Sequence, residues 1–464
     1  MGYQFDLIVI GSGPAGESAA INAAKNGGKV AIIENRDQVG GGCTHKGTIP
    51  SKALRSAVKQ LVRLERHPVF NKAIDQSWFD FPKIMRNVQK VIGEQVSMRE
   101  HYYGRNRVTV FKATASFIDE HTVCLNHSDH EIEEITGKDI MIACGSRPYH
   151  PADVNFNHPR VYDSDTILDM KHNPKKLIIF GAGVIGCEYA SIFSSLGSKV
   201  ELVNGRDRLL EFLDDEISDA LSYQLRDHGV MVRHREQFKS LETFDDRVEL
   251  HLESGKRIVA NALLWCNGRS GNTDTLKLEN IGLEPDHRGQ LKVDRRYQTA
   301  VDNIYAVGDV IGWPSLASAA YNQGCMASAA ARGAEDSGFV AEVATGIYTL
   351  PEISSVGATE RELTESKIPY EIGRALLKDC ARAQISASNV GMLKLLFCPD
   401  TFKLLGIHCF GAEATEIVHI GQAIMNQQGD GNNIEYFVNT VFNYPTMAEA
   451  YRLAALNGIN RLGR

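Results

Sequence analysis

Two glycine-rich turns constrain this chain more than anything else in it. The first, Gly11-Ser12-Gly13-Pro14-Ala15-Gly16, follows an apolar run, Phe5–Ile10, and opens a helical pattern to about Asn26; a second apolar run, Lys29–Ile33, then ends on Glu34. The second, Gly181-Ala182-Gly183-Val184-Ile185-Gly186, follows Leu177–Phe180 and precedes a helical pattern to about Leu196 and a strand at Lys199–Val203. A G-x-G-x-x-G motif alone is weak evidence. Strand, turn, helix and strand in this order form the unit that seats a pyrophosphate at a helix N-terminus. The first Gly permits the tight turn, the second lets backbone approach the phosphates, and the third lets the helix pack on its strand. Glu34 stands where an acid accepts hydrogen bonds from a ribose. In the second unit that position is Asn204, followed by Arg206 and Arg208. The change removes the repulsion an acid exerts on a 2′-phosphate, and the arginines offer a cation. Two such units imply two dinucleotides held at once, most economically a bound flavin and a visiting nicotinamide nucleotide.

The chain has 464 residues, room for about three domains. A hydrophobic fraction of 43% and a charged fraction of 23% fit a soluble protein with several buried cores. A net charge of −7 without any basic run argues against a nucleic-acid or anionic-membrane partner. No apolar stretch approaches the roughly 18 residues of a membrane span, and a strand pattern beginning at Phe5 leaves no room for a signal peptide. Nine cysteines at scattered spacings, with no C-x-x-C, suit buried thiols in a reducing cytoplasm. The 15 histidines fall in no ligand spacing, so no metal site is expected.

Further motifs fall between and after the fingerprints. Residues 41–52 read Gly-Gly-Cys43-Thr44-His45-Lys46-Gly47-Thr48-Ile49-Pro50-Ser51-Lys52, and Ile304-Tyr305-Ala306-Val307-Gly308-Asp309 comes late in the chain. Small-residue strand ends at Ile142–Pro148 and Trp265–Arg269 suit crossovers between domains. The C-terminal part carries Tyr444-Pro445-Thr446-Met447-Ala448-Glu449. In this order, and over essentially the whole chain, these motifs resemble the flavoprotein disulfide reductases. The resemblance implies an α/β fold with two Rossmann-like dinucleotide-binding domains, for FAD and for NAD(P), and a C-terminal α+β interface or dimerisation domain. The expected division is 1–149 and 271–344 for the FAD domain, 150–270 for the NAD(P) domain and 345–464 for the interface domain. A helical insertion at about 55–110 carries an apolar stripe, Leu54, Val58, Leu61 and Val62, read as a packing face. A homodimer or larger homo-oligomer is likewise implied.

The resemblance also implies residue roles. Asp309 contacts the ribityl chain of FAD, and Lys52 and Glu188 pair beside flavin N5 as the catalytic residues. Gly11, Gly13, Gly16, Glu34 and Cys43 serve the FAD site, and Gly181, Gly183, Gly186 and Arg206 the nicotinamide nucleotide. Two departures concern one chemistry. The family's redox motif has two cysteines separated by four residues; here the first is Cys43 and the second is Thr48. The family's C-terminal histidine, which exchanges protons with those thiols, is Tyr444, and an unperturbed Tyr titrates near ~10, too high for a proton shuttle at neutral pH. A covering Tyr found in glutathione reductase is here Val184. Longer stretches around Cys43, at 143–151 and at 439–451, are similar to a branch of the family that moves hydride between NADPH and NAD through FAD. The expectation is such an exchange in two half-reactions, without a redox disulfide and with Cys43 packing beside the flavin. A flavin NAD(P)H oxidase or diaphorase and a redox-sensing flavoprotein are the alternatives.

Overall fold

The computed structural model describes residues 2–67, 69, 72, 80–334 and 343–463. The first fingerprint lies in a seven-stranded sheet. Phe5–Ile10 and Val30–Glu34 are apolar almost throughout and buried along nearly their whole length, as parallel strands covered on both faces must be. Phe5–Ile10 pairs in parallel with Val30–Glu34 on one side and with the end of Ile132–Ile142 on the other, in the register Ile8↔Ala31 and Ile8↔Ile140. The long strand Ile132–Ile142 serves two sets of partners. Its first half pairs antiparallel with Thr122–Asn126, and its last residues pair in parallel with Ile304–Ala306. The chain therefore returns to its first sheet after passing through the second.

The second fingerprint lies in a five-stranded, all-parallel sheet ordered Met231–Arg233, Lys199–Val203, Lys176–Phe180, Ala262–Trp265 and Val161–Asp163. A three-stranded antiparallel sheet, Phe238–Thr243, Val248–Leu252 and Arg257–Ala260, is attached to it. The two connections between the nucleotide-binding units pair with each other: Ser146–Pro148 runs antiparallel to Arg269–Gly271. The last part of the chain forms a five-stranded antiparallel sheet flanked by helices Ala414–Met425 and Glu449–Arg461. The architecture is α/β, with two Rossmann-like sheets and a mixed α and β third part.

The helical stretch near residue 55 begins earlier than its periodicity suggests. Helix Thr48–Arg66 starts inside the cysteine motif and so carries Lys52 in its first turns. Pro50 is compatible with that start, because a first-turn residue has no intrahelical acceptor for its N–H in any case. Leu54 and Val58 are fully buried, and Leu61 and Val62 pack partly buried against the main core, so the stripe is a packing face. Helix Phe81–Arg105 packs beside it. Among the described residues no helix is long and apolar enough to cross a membrane.

Candidate active site

The carboxyl ends of the first sheet open on a cavity of about 880 Å³, at the upper end of the roughly 300–1,000 Å³ of ordinary ligand pockets. Gly11, Gly13, Glu34, Cys43, Lys52 and Asp309 all line it. Glu188 and Val184, from the helix after the second fingerprint, close its far end. Gly16, Gly181, Gly183, Gly186 and Arg206 do not line this cavity.

Backbone geometry explains the first glycines. Gly11 has φ +108°, and a Cβ there would run into the carbonyl of Ala143. Gly41 (φ +59°) brings its backbone so close to the fingerprint that a Cβ would lie 2.7 Å from Cα of Gly13. The helix Pro14–Lys25 that follows has no side-chain cap at Gly13, which leaves its first N–H groups available to an anion. Helix Val184–Ser195 is uncapped in the same way at Gly183. Glu34 is buried, accepts from the Ser12 N–H at 3.2 Å and the Arg36 N–H at 3.0 Å, and is also bonded by the Ser12 hydroxyl. Gly40 N–H donates to that hydroxyl at 2.8 Å, so Ser12 ties Glu34 to the loop before Cys43.

Three expected segments meet beside Asp309. Its carboxylate accepts from Ser146 Oγ at 2.7 Å and lies 4.0 Å from Arg269 Nε. Arg269 donates to Ser146 Oγ at 2.8 Å and to the Ser146 carbonyl at 2.7 Å. The paired crossover strands therefore converge on the same carboxylate.

At the other end, Lys52 Nζ lies 2.7 Å from Glu188 Oε2, with side-chain exposures of 27% and 6%. This ion pair joins the two nucleotide-binding units directly. Glu188 Oε1 accepts from the Tyr348 N–H at 2.8 Å, a partner with no sequence signal because it lies in the third part of the chain. The Thr48 side chain stands beside the Cys43 thiol. Burial pushes the Cys43 thiol up, and the Thr48 side chain and the charge of Arg99 offset this only partly, so the thiol is protonated at neutral pH. All nine cysteines are free. Sequence reasoning also missed the buried group behind Cys43, in which Arg99 Nε sits 2.9 Å from Glu17 and the Tyr321 hydroxyl donates to Glu17 at 3.2 Å.

The second unit places its expected residues differently. Asn204 is buried, and its amide donates to the carbonyls of Arg206 (3.1 Å) and Arg208 (2.8 Å), so it organises the loop. Arg206 is 69% exposed, with Glu211 at 3.6 Å, and Arg208 pairs with Asp215 at 2.8 Å. Tyr444 is exposed and does not line the cavity.

Residues 5–324 match the pyridine nucleotide-disulphide oxidoreductase family, and residues 343–455 match that family's dimerisation domain. The chain belongs to this family. It is 61% identical to the soluble pyridine nucleotide transhydrogenase of Hahella chejuensis and 59% identical to that of Azotobacter vinelandii, over 99% of this chain and of each relative. Solved structures agree with the fold. The HOCl-induced flavoprotein disulfide reductase RclA from Escherichia coli, in its Cu(II) complex, is 27% identical with a TM-score of 0.88, covering 98% of this chain and 99% of that one. LpdA from Mycobacterium tuberculosis is 25% identical with a TM-score of 0.89, covering 97% and 98%. The protein is thus a pyridine nucleotide-disulphide oxidoreductase family member whose second motif position carries Thr48 in place of a thiol.

Proposed function

We propose that this protein binds FAD in the 880 Å³ cavity and exchanges hydride between NADPH and NAD+ in two half-reactions. The observation that carries the reading is the Lys52–Glu188 pair at 2.7 Å, set where the second fingerprint helix reaches the cavity and beside a motif with one thiol. The relatives of about 60% identity, named soluble pyridine nucleotide transhydrogenases, support it. FAD, when bound, supplies the chemistry of taking up and releasing a hydride. Gly11, Gly13 and the uncapped helix at Pro14 would hold its pyrophosphate, Glu34 its ribose and Asp309 its ribityl chain. Lys52 would present a cation at the reacting end, oriented by Glu188.

Gly181, Gly183 and Gly186 would seat NADPH and then NAD+ in turn. Asn204 in place of an acid leaves the site open to a 2′-phosphate, with Arg206 as its cation. Thr48 has a clear physical sense in such a cycle, because a dithiol would offer a competing sink for electrons between the two half-reactions. Cys43 is a packing thiol in this reading. We assign 1–149 and 271–344 to the FAD unit, 150–270 to the nicotinamide unit and 345–464 to the interface of a homodimer or larger homo-oligomer, in a reducing cytoplasm.

The test is anaerobic mixing of the purified protein with NADPH and an NAD analogue whose reduced form absorbs at its own wavelength. The expected result is fast, FAD-dependent formation of the reduced analogue without activity on lipoamide or glutathione disulfide. Bleaching by NADPH with no transfer to the analogue would refute the reading in favour of an oxidase or a sensor.

A further inference from the structure

Lys52 has more partners than an ion pair requires. Its ammonium donates to Glu188 at 2.7 Å and to Ser51 Oγ at 3.3 Å, and it lies over the ring of Tyr348, 4.8 Å from the centroid. That leaves one of the three ammonium donors without a partner among the described residues, on a side chain that lines the cavity. Tyr348 also holds Glu188, through its main-chain N–H at 2.8 Å. One residue from the third part of the chain thus touches both members of the pair, one by its ring and one by its backbone.

Tyr348 is itself pinned on both sides. Arg55, one turn after Lys52 on the same helix, donates to the Thr349 carbonyl at 3.0 Å, pairs with Glu352 at 2.7 Å, and lies 5.8 Å from the Tyr348 ring. The Leu350 N–H donates to Ser191 Oγ at 3.2 Å on the helix that carries Glu188. The ring is packed by Gly346, where an added Cβ would lie 3.3 Å from Tyr348 Cε2. A flexible lysine stem gives an ammonium many positions; an aromatic face on one side and a fixed carboxylate on another reduce them.

We propose that Tyr348 is the positioning residue of the Lys52–Glu188 pair, fixing the ammonium by its aromatic face and the carboxylate by its main-chain N–H. The inference rests on the reading above that Lys52 faces the reacting end of bound FAD. A cation held there favours electron uptake by FAD; a cation free to move toward water favours it less.

The experiment is a double-mutant cycle read by the midpoint potential of FAD in the purified holoprotein. A cation–π contact is worth roughly two- to thirtyfold in an equilibrium, which for a two-electron couple is about 10–45 mV. Tyr348→Leu is expected to lower the potential by that amount. Tyr348→Phe keeps the ring and the N–H and is expected to show less than a third of the shift. In a Lys52→Met background Tyr348→Leu is expected to shift nothing. Equal shifts in the Leu and Phe variants, no shift in either, or the same Leu shift with and without Lys52 would each overturn the proposal. If Tyr348→Leu does not fold, Tyr348→Met preserves bulk without a ring, and the same readings apply. Coupling found in a wild-type protein that fails to pass hydride from NADPH to the analogue would overturn the proposed activity and leave the positioning role intact.

Discussion

The staple between the second and third parts of the chain can be tested by removing one charge. Lys394, on strand Gly391–Phe397, has no exposed side-chain surface and faces Asp214, itself 1% exposed, at 2.7 Å. Glu216 lies 3.2 Å away, and Glu360 completes the group. The oxygens of Asp214, Glu216 and Glu360 all fall within 4.8 Å of one another, so Lys394 is the cation that lets them coexist. Asp214 caps helix Asp215–Asp227, directly after the loop that carries Arg206. Lys394→Met keeps most of the volume and leaves Asp214 buried without its cation. At an effective dielectric of about 20, a contact of 2.7 Å has a gross attraction of roughly 6 kcal/mol. Desolvation offsets part of this, and breaking a buried pair costs about 3–5 kcal/mol. At about 2 cal/mol/K per residue, 464 residues unfolding together give a fall in Tm of about 3–5 °C at pH 7.5. The pH dependence has a definite sign. Burial alone would raise the Asp214 carboxyl; the Lys394 ammonium bonded to it holds it below the usual carboxylate range. Without Lys394 burial prevails, and the folded-state pKa moves above the unfolded value of about 3.9. A group raised in this way costs stability above its unfolded pKa, and the cost shrinks as pH falls through the raised value. The deficit in Tm, read by calorimetry, is therefore expected to be smaller at pH 5.0 than at pH 7.5. The double variant Asp214→Leu/Lys394→Met should recover more than half of it. A fall below 1 °C at pH 7.5, or equal falls at both pH values, would refute the reasoning.

Other consequences are as direct. Thr48→Cys would set a second thiol against Cys43, which Thr48 already touches; an anaerobic reductive titration should then consume four electrons per FAD where the wild type consumes two, and hydride exchange between nucleotides should slow. Burial raises the Cys43 thiol, whereas a hydrogen bond from Thr401 lowers that of the half-buried Cys398; because the thiolate is the nucleophile, iodoacetamide at pH 7.5 should label Cys398 before Cys43, as peptide mass spectrometry would show. Gly41→Ala would force a Cβ to 2.7 Å from Gly13 at a positive φ; strain of about 1–3 kcal/mol predicts FAD held at least about fivefold less tightly, measured by flavin release on dilution.

The parts of this protein that were legible in its sequence share a physical origin. Gly11 and Gly181 stand at φ +108° and +104°, where a side chain would collide with the neighbouring crossover. A backbone demand of that kind is met by one residue type, so it shows in a string of letters. Asp309, Cys43 and Lys52 have no such demand; the resemblance placed them, and the cavity brings them together. Lys394 shows the opposite case. In the alternation of Leu393, Lys394 and Leu395 it reads as a solvent-facing strand residue, because a period of two tells which face a side chain takes but not what covers that face. Here the cover is Asp214, 180 positions earlier. Arg206 is a related case: its neighbours in sequence make it a ligand candidate, whereas the structure adds what they do not show, that the Asn204 amide bonds the loop's own carbonyls and the arginine stands exposed beside Glu211. Tyr348 reaches Glu188 across 160 positions and Lys52 across still more, and no local pattern marks a residue whose value lies in meeting two others. The family's matching motifs therefore account for Lys52 and Glu188 at the cavity, whereas what fixes them relative to each other is a property of the third part of the chain folding onto the first two.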